Sequence, residues 1–242
     1  IGPAGERLIR YACIVNSFNR NGGRTGMGAV MGSKNLKAIA VRGTGTVTVA
    51  KPKELMETSY HIQKLFSRKS LNSNPYQPEE KGFKYNIWGG GYGRGSLSLL
   101  AGELLDLCND PSSGYSQTPD GCFACPVSCR SHVKGPDITT GVAFCAQSYM
   151  YLESMVDKPE KGYSKITWQA AKLADLYGIN AYDMMAIIPW LSDCYREKLI
   201  GEEDTGLPLK EIGSWNFISK LLSMMAERQG FGDLLADGGQ RA

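Results

Sequence analysis

The sequence predicts an α+β N-terminal part, residues 1–49, followed by a mainly α-helical domain over residues 50–242. Short β-branched stretches and glycines dominate the first part. From Pro52 onward, most apolar residues recur at the three- and four-residue spacing of amphipathic helices. The chain also starts at Ile1 instead of Met and stops at the residues GGQRA. We therefore expect it to be a fragment of a larger chain.

The composition is that of an ordinary soluble globular protein, with 42% hydrophobic and 21% charged residues among 242. A net charge of +3 gives no reason to expect binding to nucleic acid or to an anionic membrane. No apolar run approaches the length of a membrane span, and no secretory signal opens the chain. The seven cysteines are an odd number, which favours a reducing compartment over a disulfide framework. We expect a cytoplasmic protein.

The N-terminal part is predicted to contain strands over residues 10–15 and 38–42 and a shorter strand over 46–49, because these stretches are apolar and β-branched. The glycine-rich loop between the first two carries Arg20, Arg24 and Lys34. Such a loop can bring backbone amides and positive charge to a phosphate, or it can be a surface loop with solvated arginines. Neither G-x-x-x-x-G-K-[ST] nor G-x-G-x-x-G occurs here, which argues against the P-loop and Rossmann nucleotide sites.

Four helices are predicted in the second part. The first begins at Pro52, the second runs from a Thr167 cap to Gly178, the third spans 181–199, and the fourth runs from a Ser214 cap to Gly230. Trp168, Ala171 and Leu176 share one face of the second helix, and residues 201–213 are predicted to be a polar linker.

Asp175 lies in the last turn of the second predicted helix, where the helix dipole disfavours a carboxylate. It is therefore either a solvent-exposed side chain or a residue placed there for another reason, such as binding a ligand.

The strongest chemical signal is the stretch GCFACPVSCR, in which Cys122, Cys125 and Cys129 have the spacing C-x2-C-x3-C. Three compact thiolates with a fourth ligand from elsewhere suit an iron–sulfur cluster. A structural zinc site more often uses four ligands in two separated pairs. Zinc in a binding module without catalysis, and three small buried hydrophobic side chains, remain alternatives.

Two further stretches accompany these cysteines: RTGMGAVMGSKNLK from Arg24 to Lys37, and DLYGIN from Asp175 to Asn180. Together with CFACPVSC, and in this order, they closely resemble the tungsten-containing aldehyde:ferredoxin oxidoreductase family. The resemblance covers most of the chain. It implies that residues 1–49 are the end of a pterin-binding α+β domain, and that residues 50–242 carry the cluster cysteines and one pterin motif.

The resemblance also implies site residues. Cys122, Cys125 and Cys129 would hold three corners of a [4Fe–4S] cluster, with the fourth ligand outside this chain. The residues implied to contact a tungsten (or molybdenum) bis-pterin, or the magnesium that bridges its phosphates, are Arg20, Asn21, Gly23, Arg24, Asp175, Ile179 and Asn180. No catalytic acid or base is assigned. The chain alone is expected to be inactive.

The function implied by the resemblance is oxidation of aldehydes to carboxylic acids, with ferredoxin or an electron-transfer subunit as partner, in an anaerobic cytoplasm and in an oligomer. Two departures from the family pattern support an alternative. The G-T and L-P-x-x-N elements that the aldehyde enzymes usually carry are absent from residues 88–110. Gly135-Pro136-Asp137 stands where the aldehyde enzymes carry a glycine–proline–glutamate sequence. The alternative is the catalytic subunit of an ATP-independent aromatic acyl-CoA reductase.

Overall fold

The computed structural model of the chain describes residues 1–16, 20–65, 107–108, 110–120, 130–143 and 163–239. The N-terminal elements are helix α1 (Pro3–Glu6), strands β1 (Ile14–Asn16) and β2 (Arg20–Gly22), a 3-10 turn (Arg24–Gly26), and helices α2 (Met27–Ser33) and α3 (Pro52–Leu65). Strands β1 and β2 pair antiparallel, with Val15 opposite Asn21. The cysteine stretch, Gly121 to Cys129, and the glycine-rich run at 88–95 lie outside the described residues.

A second, three-stranded antiparallel sheet has the order β3 (Ser116–Asp120), β4 (Arg130–Lys134), β5 (Gly141–Ala143). His132 of β4 lies opposite Thr118 on one side and Val142 on the other. Strand β4 begins at the residue that follows Cys129.

The C-terminal part is helical. It consists of α4 (Tyr163–Tyr177), α5 (Ala181–Arg196), α6 (Glu202–Thr205), a 3-10 turn (Leu209–Glu211), α7 (Trp215–Glu227) and α8 (Phe231–Ala236). Helix α7 packs against both α4 and α8. Its inward face is fully buried, because Phe217, Ile218, Leu221 and Met225 fall at helical spacing on one side.

One hydrophobic core joins the two ends of the chain. Ala4, Ile9, Tyr11 and Ala12 belong to the same buried cluster as the inward faces of α4, α5, α7 and α8. The Tyr11 hydroxyl donates to the backbone oxygen of Leu235 at 2.9 Å. The N-terminal segment is thus built into the helical part, and the predicted domain boundary at residues 49/50 stays a prediction.

Two of the three predicted N-terminal strands are wrong. Residues 38–42 and 46–49 have no regular structure, and the side chains of Val41 and Val47 are 87% and 90% exposed. A strand needs a neighbour for its backbone groups, and no described residue pairs with either stretch. The strand predicted over 10–15 is shorter and later, because residues 9–12 form a turn against the core.

The helix boundaries differ from the predictions in four places. Helix α5 ends at Arg196, before the predicted end at 199. Thr167 lies inside α4 instead of capping it, and Leu176 is 70% exposed. Helix α7 ends at Glu227, where Arg228 takes a left-handed conformation, and α8 follows. The predicted linker over 201–213 contains α6 and a 3-10 turn, because Leu207 and Leu209 are buried in the core.

Several local predictions are confirmed. Pro52 begins α3, and Gly178 ends α4 with a φ of +75°. Ser214 caps α7, since its Oγ accepts a hydrogen bond from the Phe217 N–H at 3.1 Å.

Candidate functional site

The loop from Arg20 to Gly26, here called the arginine loop, lies against the junction between α4 and α5. The Asn21 Nδ2 donates to the Asp175 Oδ1 at 2.8 Å. Gly23 faces Asn180, because a Cβ added to Gly23 would lie 3.6 Å from the Asn180 Oδ1. Segments far apart in sequence therefore form one site.

Backbone contacts hold the two segments in place behind this site. The Cys13 N–H donates to the Gly178 oxygen at 2.7 Å, and Ala12 forms an isolated antiparallel bridge with Ile179. The N–H groups of Ile179 and Asn180 donate to the oxygens of Ala174 and Tyr11. Any backbone contact of Ile179 and Asn180 with a bound ring would therefore use their carbonyl oxygens.

The turn that follows Arg24 requires glycine at one position. Gly26 has a φ of +68°, and a Cβ there would lie 2.0 Å from the Arg10 oxygen. Thr25 also takes a positive φ, +78°, which is unusual for a residue with a branched side chain. The arginine loop is thus in close contact with the backbone of residue 10, and this contact fixes the conformation of the loop.

Asp175 is a buried carboxylate, with 8% of its surface exposed. Burial raises its pKa to about 6, although the Lys172 ammonium and the hydrogen bond from Asn21 act in the opposite direction. The prediction of a solvent-exposed side chain at this position is excluded. The alternative, a residue placed there for another reason, remains.

Lys172 lies one helical turn before Asp175 on α4. Burial lowers its pKa to about 8, and the nearby Asp175 raises it. Its ammonium donates to the Val142 oxygen of β5 and lies 4.6 Å from the centre of the Trp168 ring. Lys172 therefore connects the β4–β5 hairpin to the helix that carries Asp175.

Asn180 is the N-cap of α5 and organises its first turn. Its Oδ1 caps the helix by accepting from the Tyr182 N–H at 3.5 Å, and its Nδ2 donates to the Asp183 Oδ2 at 2.5 Å. Burial raises the pKa of Asp183, an effect that the Asn180 hydrogen bond and the charge of Arg24 oppose.

A cavity of about 840 Å³ opens beside Asp175. Lys172, Asp175, Gln169 and Thr139 provide its polar groups. Its apolar wall comes from Ile1, Val15, Leu173, Leu176 and Trp215. A cavity of this size, with a few polar groups in an apolar wall, suits a cofactor or substrate of moderate size.

The site residues predicted from sequence fall into three groups. Those that the structure brings together are Asn21, Gly23, Arg24, Asp175, Ile179 and Asn180. Arg20 lies in β2 with its backbone opposite Asn16. Cys122, Cys125 and Cys129 lie outside the described residues, so their metal site stays a prediction. Among the described residues no other cluster of three metal-binding side chains occurs.

Three residues of the site were missed by sequence reasoning. Lys172 could have been found, since it lies three residues before Asp175 on a predicted helix. Tyr182 and Asp183 gave no signal, because only the fold brings them close to the arginine loop.

The residues present fit a polar, anionic ring system. The Asn21 Oδ1 is buried without a hydrogen-bond partner among the described residues, so it can accept from a ring N–H. Asp175 adds carboxylate acceptor atoms beside it, and Arg24 adds a guanidinium suited to phosphate oxygens. A pterin with a phosphate group has both kinds of complementary atom.

A glycine- and arginine-containing loop closed on a buried carboxylate has the chemistry that suits an organic anionic cofactor. The chain belongs to the aldehyde ferredoxin oxidoreductase family. The model of that family's N-terminal domain matches residues 1–43, and the model of its domains 2 and 3 matches residues 103–242. The predicted family and fold class are confirmed.

Known relatives cover the whole chain. A tungsten-containing aldehyde ferredoxin oxidoreductase of Pyrococcus horikoshii is 30% identical over all of this chain and 40% of its own length. The WOR-like subunit of an aliphatic sulfonate oxidoreductase of Pyrococcus furiosus is 27% identical over all of the chain and 39% of its own length. The chain thus spans about 40% of the length of the curated relatives that it matches.

A solved structure has the same fold. It is the active-site complex BamBC of benzoyl-coenzyme A reductase with 1,5-dienoyl-CoA, and its TM-score is 0.69 at 23% identity. The match covers 99% of this chain and 38% of the other. In the part of our chain that the structure describes, no helix has the length and apolar character needed to cross a bilayer.

Proposed function

We propose that the chain is part of a tungsten (or molybdenum) bis-pterin oxidoreductase that oxidises aldehydes to carboxylic acids and passes the electrons to ferredoxin or an electron-transfer subunit. The observation that carries this proposal is the Asn21–Asp175 hydrogen bond, which joins the two pterin segments implied by sequence. The names of the Pyrococcus relatives support the metal and the substrate class. We further propose a cytoplasmic, oligomeric enzyme.

The residues of the site would bind and orient the cofactor. Asp175 and the Asn21 Oδ1 would accept hydrogen bonds from ring N–H groups, and Arg24 would bind phosphate oxygens, with Arg20, Gly23 and a magnesium ion beside it. The carbonyl oxygens of Ile179 and Asn180 would border the ring. These groups position and tune the cofactor.

When bound, the metal–pterin group and a [4Fe–4S] cluster held by Cys122, Cys125 and Cys129 would supply two-electron and one-electron chemistry, respectively. Oxidation of an aldehyde with water to a carboxylic acid releases two electrons and two protons. A two-electron reaction therefore needs a site that can release electrons one at a time to ferredoxin, and the three cysteines would provide it.

Reduction of an aromatic acyl-CoA is the second candidate, and Asp137 favours it. In this chain both oxygens of Asp137 are engaged, one by the Tyr115 hydroxyl and one by the Lys165 ammonium at 2.8 Å. The glutamate of the aldehyde enzymes is thus replaced by a shorter carboxylate held in an ion pair. A change at this position is a reason to test both substrate classes.

The test is anaerobic purification of the complete gene product, followed by analysis of tungsten, molybdenum, iron, zinc and pterin. We expect tungsten or molybdenum, pterin, and about four iron atoms per chain with a brown colour. Reduction of ferredoxin by aldehydes would support the first candidate, and turnover of an aromatic acyl-CoA the second. A colourless protein that contains zinc and no pterin would contradict both.

A pair of cysteine variants makes the cluster assignment specific. Cys125→Ala should lose most of the iron. Cys194→Ala, which removes a buried free thiol from α5, should keep it. Equal iron content in the two variants would contradict the role of Cys125.

A further inference from the structure

The guanidinium of Arg24 is stacked on an aromatic ring. Its central carbon lies 4.0 Å from the centre of the Tyr182 ring, which is within the range of a cation–π contact. Tyr182 is the second residue of α5, and it is partly buried. The ring is thus fixed on a helix, whereas Arg24 is exposed on the arginine loop.

Stacking uses the face of a guanidinium and leaves its N–H edges available. The other arginines near this core are engaged through those edges. Arg228 donates to the oxygens of Arg7 and Leu8 and to two carboxylates. Arg7 and Arg10 pair with Glu227 and Asp237. With the carboxylates of the described residues, Arg24 forms no ion pair, so its N–H groups can take a bidentate oxyanion.

The backbone under Arg24 is also constrained. The left-handed Thr25 and Gly26 that follow it turn the chain against the Arg10 oxygen, where a side chain at residue 26 has no room. Both ends of Arg24, its backbone and its guanidinium, are therefore held before a ligand arrives. Preorganisation of this kind lowers the entropic cost of binding.

We propose that Tyr182 is a positioning residue that holds Arg24 in place for the phosphate groups of the cofactor. This inference rests on the proposed function. The proposal assigns a role to Tyr182, which lies outside both the glycine-rich loop and the DLYGIN stretch. The sequence alone therefore does not indicate this role. The hydroxyl of Tyr182 is not needed for it, because the contact uses the ring face.

The experiment compares Tyr182→Leu and Tyr182→Phe in the complete gene product. Each protein is purified anaerobically, and the rate at which tungsten and pterin are lost during dialysis is measured. Loss of the ring should make cofactor release about 2- to 30-fold faster, as expected for removal of one cation–π contact. Phenylalanine keeps the ring face and should restore the wild-type rate.

A double-mutant cycle separates positioning from general damage to the fold. In an Arg24→Met background, Tyr182→Leu should add no further loss, because the group that it positions is gone. Persistent extra loss in that background, or equal loss in the Leu and Phe variants, would overturn the proposal. A wild-type protein that contains neither tungsten nor pterin would overturn the proposed function itself.

Discussion

At the scale of single residues, the burial of the charged groups of Asp175 and Lys172 in the site lowers the stability of the fold. The raised pKa of Asp175 means that the folded state binds more protons than the unfolded state between about pH 4 and pH 6. Stability contributed by this group is therefore present at low pH and is lost as the pH rises through about 6. Lys172, with a lowered pKa, has the opposite sign: its contribution increases as the pH rises from about 8 to its unfolded value.

Asp175→Asn should stabilise the cofactor-free protein at pH 7. The asparagine oxygen can still accept from Asn21, and the buried carboxylate charge is removed. We expect a gain of about 1–2 kcal/mol, less than the full charge cost, because Lys172 loses its negative neighbour. Thermal unfolding between pH 4 and pH 7 should show a flatter pH dependence than in the wild type.

The control for this prediction is Asp193→Asn, which changes an exposed carboxylate on α5. It should change the melting temperature at pH 7 only slightly, because the ion pair that it removes is exposed. A lower melting temperature for Asp175→Asn than for the wild type at pH 7 would contradict the burial argument.

At the scale of secondary-structure elements, α2 depends on close backbone contact. The Gly28 N–H donates to the Ala12 oxygen at 2.9 Å, and a Cβ at Gly28 would lie 2.5 Å from the Cys13 oxygen. The glycine is needed here for space, since no larger residue lets the helix approach the turn at residues 12–13. This contact also supports the chain segment that pairs with the arginine loop.

Gly28→Ala should therefore destabilise the protein by about 1–3 kcal/mol through overpacking, seen as a lower midpoint in urea unfolding. The matched variant is Gly43→Ala, because nothing lies within 4 Å of a Cβ at that position. Gly43→Ala should be neutral or slightly stabilising. Equal midpoints for the two variants would show that α2 can move away without cost.

The elements also show which features a sequence can predict. Ser214 and Gly178 were predicted because cap signals depend on adjacent residues. The strands predicted at 38–42 and 46–49 are wrong, since a strand depends on a partner elsewhere in the chain. The sequence does not predict the burial of Leu207 and Leu209, because they lie in a polar stretch. Their burial results from packing against α5 and α7. For the site, family resemblance brought Asn21 and Asp175 together, whereas residue patterns alone did not.

At the scale of the whole molecule, Arg228 ties the two ends of the described chain to each other. Its guanidinium donates to the Arg7 oxygen at 2.7 Å and the Leu8 oxygen at 3.1 Å, and it pairs with Asp233 and Asp237. Charge-assisted hydrogen bonds of this kind are stronger than neutral ones. Arg228 therefore stabilises the attachment of the N-terminal segment to α7 and α8.

Arg228→Met should lower the free energy of unfolding by about 2 kcal/mol and expose the N-terminal segment to proteolysis. Arg196→Met is the matched control, because the pair that Arg196 forms with Asp193 within α5 is exposed. It should change the stability by less than about 0.5 kcal/mol. The measurement is limited proteolysis together with thermal unfolding, and protection of the N-terminus in Arg228→Met would contradict the prediction.

The contact between Asn21 and Asp175 also has a consequence for the order of events during synthesis. The two residues are 154 positions apart. The ribosome must therefore synthesise most of this stretch before the arginine loop can contact the helix that carries Asp175. Contacts of such long range form late and carry a high loop-closure cost. We therefore expect the arginine loop to close on Asp175, and the proposed cofactor to bind, only after residue 175 has been synthesised.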